Sequence, residues 1–171
     1  MKRTYLLFVT ILLSINISMA QDDNTCACCT EQHEAFDFWL GDWTVYNSNG
    51  DIVGDNKLVK LQDSCVMQEN WVAANGTNTG TSYNFYDQKD STWNQVWISN
   101  SGNILRLKGN LNSDGEMVLR SELIAGKKGN YYNQITWFED ENDNVVQRWD
   151  ILTEEGEKIK TVFEGIYKKD N

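Results

Sequence analysis

The chain has 171 residues and carries 15 Lys and Arg against 25 Asp and Glu, a formal net charge of −10. That balance excludes a general nucleic-acid binder, because no basic stripe offsets phosphate repulsion. A 40% hydrophobic content with seven Trp, seven Tyr and six Phe excludes a disordered acidic chain and suffices for one core rather than two.

Met1 to Ala20 places Lys2 and Arg3 ahead of an apolar run from Tyr5 to Leu13 and ends in Ser18-Met19-Ala20, a small-x-small cleavage signal. Residues 1–20 therefore read as a signal peptide, whose removal makes the chain two charges more negative. No lipobox precedes Cys26, Cys28 or Cys29, and nothing after residue 20 is apolar and long enough to span a bilayer as a helix. The expected destination is the periplasm or the exterior.

Residues 21–30 form a polar, Cys-containing leader, and residues 31–171 a single β-barrel domain. Cys26, Cys28, Cys29 and Cys65 are the four cysteines, and an oxidising compartment favours disulfides among them. Cys65 opens an apolar strand and is expected to bond back to Cys28 or Cys29, leaving Cys26 paired locally or free. The cluster with His33 offers soft metal ligands as the competing reading. However, its cysteine spacings do not match C-x2-4-C zinc geometry, so no metal is expected.

Thr30 is suited to cap a short helix over Glu31 to Leu40, with Phe36, Trp39 and Leu40 as its buried side. The remainder alternates with a period near two and breaks at Asn-Gly, Asp-Gly and similar turns. Ten strands are predicted: Asp42–Asn47, Lys57–Gln62, Val66–Ala73, Thr81–Asp87, Thr92–Ser99, Ile104–Leu111, Glu116–Leu123, Tyr131–Glu139, Val145–Leu152 and Lys158–Tyr167. With no Pro in the chain, markers such as Asn49-Gly50 and Asp114-Gly115 must make the hairpins. So long an up-and-down meander best hides its edges by closing into an antiparallel barrel, a two-sheet sandwich being the alternative.

The stretch Phe36-Asp37-Phe38-Trp39-Leu40-Gly41-Asp42-Trp43 resembles the opening of calycin barrels, the group of lipocalins and fatty-acid-binding proteins. Together with Cys65 to Trp71, Trp93 to Trp97, Gln134 to Trp137, Val146 to Trp149 and Phe163 to Tyr167, it is similar to secreted bacterial calycin-like proteins of unknown function. The resemblance implies a calycin-like barrel and no particular activity. Haem-binding barrels open similarly, but the single His lies ahead of the first strand, which argues against a haem cofactor. No cofactor is expected.

One leader His cannot serve a Ser-His-Asp triad inside a barrel, and no Gly-rich phosphate loop follows a strand. Asp140 to Asn144 lacks the pattern of a calcium loop. More informative are the strand faces on which rings alternate with amides. Trp93, Gln95 and Trp97 share one; Met67, Glu69 and Trp71 another; Tyr83 and Phe85 a third. Tyr131, Asn133, Ile135 and Trp137 share a face, as do Gln147 and Trp149 with Val145 and Ile151. An apolar interior with a few polar groups suits a small molecule. Trp71, Tyr83, Trp93, Gln95, Trp97, Trp137, Gln147 and Trp149 are the expected ligand contacts, with no covalent chemistry. The competing reading is that these rings fill the barrel while Gln95 and Gln147 satisfy each other.

Two other functional classes remain open. Glu69, paired with Arg106 if both face inward, would be the one candidate for acid–base chemistry in an isomerase, hydratase or cyclase. Trp on an outer face would instead mark a carbohydrate-contacting module. Partners are thus a small molecule, no nucleic acid and no further membrane segment; oligomeric state is not encoded in any feature found.

Overall fold

The computed structural model describes residues 26–170; the expected signal segment and residues 21–25 of the leader lie outside the described residues. A four-residue helix α1 (Glu31–Glu34) and a 3-10 turn (Asp37–Trp39) precede the strands. These are β1 (Gly41–Tyr46), β2 (Ile52–Leu61), β3 (Val66–Ala73), β4 (Thr79–Asp87) and β5 (Thr92–Ser99), then β6 (Ile104–Leu111), β7 (Met117–Arg120), β8 (Tyr131–Glu139), β9 (Val145–Thr153) and β10 (Lys158–Lys169). Each strand pairs antiparallel with its sequence neighbours, and β1 pairs with β10 to close the barrel. The expected ten-stranded meander is therefore the fold, and no described edge is left unpaired.

The helix is shorter than its pattern suggested. Thr30 stands at the cap position, yet its hydroxyl makes no capping bond; it shares a 2.8 Å hydrogen bond with His33 Nδ1. From Phe36 the chain tightens into the 3-10 turn and drives two rings into the barrel base. Phe36 lies 5.2 Å from Trp39, 5.5 Å from Trp93 and 5.1 Å from Trp137, centroid to centroid, and is fully buried. Trp93 Nε1 donates to the Gln32 carbonyl at 3.0 Å, tying strand and plug together.

Two strands depart from expectation for identifiable reasons. β2 begins at Ile52 rather than Lys57, because its inward positions there are Gly54 and Asn56, which do not read as apolar alternation. Gly54 is required: a Cβ would stand 2.5 Å from the Trp71 ring. β7 stops at Arg120, short of the expected Leu123. Ser121 N–H still donates to the Asn133 carbonyl at 2.8 Å. The Asn133 N–H, however, goes to Ser121 Oγ at 2.9 Å rather than to a backbone carbonyl, and that hydroxyl donates to the Glu122 carbonyl at 2.8 Å, so the ladder ends here.

Two disulfides resolve the leader. Cys28–Cys65 fastens it to the β2–β3 loop, and Cys26–Cys29 closes a local loop. All four thiols are consumed, so the cluster beside His33 is not a set of metal ligands. Among the described residues no helix is long and apolar enough to cross a membrane.

Candidate functional site

Alternation sends one face of every strand inward. At the base, Phe36, Trp39, Trp43, Met67, Trp93, Met117 and Trp137 pack solidly. Above them a cavity of about 710 Å³ opens toward the β3–β4, β5–β6 and β7–β8 connections. Its walls include Trp71, Trp97, Tyr131, Trp149, Phe163 and Tyr167, with Gln95, Asn133 and Gln147 between them.

Glu69 lies on this wall and is 5% exposed. Its position follows from register. Glu69 stands directly opposite Ser82 across β3–β4, and Asn84 stands opposite Gln95 across β4–β5. Ser82 Oγ donates to Glu69 Oε2 at 2.6 Å, and Asn56 Nδ2 donates to Oε1 at 3.1 Å. Behind Ser82, Asn84 Nδ2 donates to its hydroxyl at 2.9 Å, and Gln95 Nε2 donates to Asn84 Oδ1 at 2.8 Å. The relay thus runs from Gln95 through Asn84 and Ser82 to the carboxylate, while Asn84 Nδ2 also donates to the Met67 carbonyl at 3.2 Å. Burial nevertheless pushes the Glu69 carboxyl from 4.5 up to about 7, outweighing the two hydrogen bonds that lower it. Tyr167 donates to Gln147 Oε1 at 2.5 Å, and burial, then the Glu69 charge, raises its phenol well above its usual range.

The structure divides the expected contacts into three groups. Trp71, Gln95, Trp97, Gln147 and Trp149 line the cavity, and Glu69 joins them. Trp93 and Trp137 belong to the packed base instead. Tyr83 is 41% exposed and accepts a hydrogen bond from Gln68 on the outer face, so the Tyr83–Phe85 face is not the interior one. The small polar residues Ser82 and Asn84 take the interior because Glu69 and Gln95 satisfy them.

Arg106 is exposed on the face of β6 opposite Leu105 and Leu107, so it does not pair with Glu69. Gln95 and Gln147 do not bond to each other; they bond to Asn84 and Tyr167. None of the seven Trp is exposed, which leaves a carbohydrate-stacking surface without its rings. Sequence reasoning missed Asn56, Ser82, Asn84 and Tyr167. Their signal was parity with Glu69 and Gln95, visible only once register is known.

Fold and site together define a class: a closed antiparallel barrel, plugged at one end, with a cavity of ligand-sized volume at the other. No family model and no curated protein matches the chain.

Proposed function

We propose that this is an exported, calycin-like barrel that binds a small, partly apolar molecule in its interior without covalent chemistry. The observation that carries the reading is the cavity of about 710 Å³, whose rings alternate with Gln95, Asn133 and Gln147. Rings supply contact area, and amides orient one polar end. Asn133 Oδ1 already accepts the Trp149 indole N–H at 2.9 Å, which holds that ring against the wall. Export is supported by the signal-like residues 1–20 and by two disulfides.

Native mass spectrometry of protein purified from its own host tests the reading. A co-purifying molecule released on denaturation is expected. Tryptophan fluorescence that no fatty acid, terpenoid, amine or aromatic metabolite changes would count against it.

Acid–base chemistry is the second reading, favoured by one observation: Glu69 faces the cavity with its carboxyl raised to about 7. Recovery of the bound molecule chemically unchanged after long incubation separates binding from turnover.

A further inference from the structure

The cavity has a carboxylate with no counter-charge. Asn56 and Ser82, its two hydrogen-bond partners, are neutral. No Lys, Arg or His lines the space; the Tyr167 phenol of β10 feels the Glu69 charge and donates to the Gln147 amide of β9. Both hydrogen bonds at Glu69 are donated to it, by Ser82 and Asn56, and Ser82 is itself held by Asn84 and Gln95, which suits the charged carboxylate. Burying such a charge without a cation is costly, so something entering the cavity gains by supplying one.

Resting on the ligand-binding reading above, we propose that the ligand carries a cationic amine head, with Glu69 as its counter-ion and the surrounding rings as its enclosure. Three independent features agree on that class. The faces of aromatic rings attract cations, and six rings line this cavity: Trp71, Trp97, Tyr131, Trp149, Phe163 and Tyr167. Gln95 lines the same cavity, and its side-chain carbonyl accepts no hydrogen bond from the described residues. The chain as a whole carries a formal net charge of −10, which draws cations toward the mouth and repels anions. An acid of the same size meets repulsion from Glu69, and a neutral alcohol leaves its charge uncompensated.

The test compares isosteric pairs by titration calorimetry at about pH 8, where Glu69 is ionised. The pairs are phenethylamine with 2-phenylethanol, cyclohexylmethylamine with cyclohexanemethanol, and octylamine with 1-octanol. The neutral dye N-phenyl-1-naphthylamine reports whether the cavity admits an apolar body at all. At least one amine is expected to bind roughly thirty-fold tighter than its alcohol, and Glu69→Gln is expected to remove that preference while keeping dye binding. In the wild-type protein, amine affinity should also fall as pH drops below about 7 while alcohol affinity holds, a readout independent of how the variant folds. Equal binding of amine and alcohol in every pair, or a preference that survives Glu69→Gln, overturns the cationic head and leaves the cavity reading standing. Exclusion of the dye, the amines and the alcohols alike overturns both.

Discussion

Glu69 and Ser82 face each other across the β3–β4 ladder, and the serine hydroxyl donates to the carboxylate over 2.6 Å. The contact is one end of a directed relay, because Ser82 is itself fixed by Asn84, and Asn84 by Gln95. On the other carboxylate oxygen, Asn56 donates through Nδ2 while its Oδ1 is buried without a partner. Turning that amide over would let Oδ1 accept a proton carried by Glu69. The site thus holds a group for each protonation state.

Stability should fall as pH rises through neutrality. The folded Glu69 carboxyl sits at about 7 against 4.5 in the ordinary state, so the folded protein binds more protons between those values. Its stabilising contribution is complete below the unfolded value and lost as pH climbs past the folded one. Between about pH 5 and about pH 8.5 the loss is roughly 2–3 kcal/mol, and Glu69→Gln should abolish it. Urea unfolding at the two pH values measures this; a wild-type profile no steeper than the variant's would contradict it.

Gln95→Leu removes the donor to Asn84 Oδ1 and leaves that buried carbonyl oxygen unpaired. The expected cost is about 1–3 kcal/mol of folding stability. Binding of a polar-headed ligand should weaken roughly ten-fold as well. Lys127, exposed in the β7–β8 connection, is the control whose replacement should change neither quantity.

Much of this fold is written in alternation and turn chemistry. Nine of the ten strands begin within two residues of where the periodicity put them, and the barrel follows from having no helix between them. What alternation could not assign was which face of β4 turns inward. Tyr83 and Phe85 looked interior because rings usually are, but Ser82 and Asn84 won the position through hydrogen bonds to residues on β3 and β5. Such a preference depends on cross-strand register, which no single segment contains. The early part of β2 was hidden for a related reason. Gly54 and Asn56 look like loop residues until the Trp71 ring and the Glu69 carboxylate that they accommodate are placed beside them.

Removing the leader's anchor should loosen the whole barrel. Cys28–Cys65 spans a separation of 37 residues, so the double variant Cys28→Ser/Cys65→Ser should lose about 3–4 kcal/mol, seen as a lower urea midpoint. Retaining Cys26–Cys29 in that variant isolates the effect. An unchanged midpoint would show that the aromatic plug alone holds the leader down.

Gly80→Ala tests the cavity wall. A Cβ at Gly80 would stand 2.2 Å from the Trp97 ring, which must then swing into the open space. The change should cost about 1–3 kcal/mol through overpacking. It should also shift the tryptophan emission and weaken uptake of N-phenyl-1-naphthylamine. Unaltered dye affinity would mean that Trp97 does not bound the space the dye occupies.

The plug of Phe36 and Trp39, wedged among Trp93 and Trp137, makes the barrel a blind well rather than a conduit. Anything that reaches Glu69 must travel in from the mouth and leave by the same route, so entry and escape share one barrier. A guest of the proposed kind, with its amine head at Glu69, would enter head first and leave its tail at the rim beside Ile104 and Val162. Bulk added to that tail would be felt at the rim, while any change to the leading end would be judged at the floor.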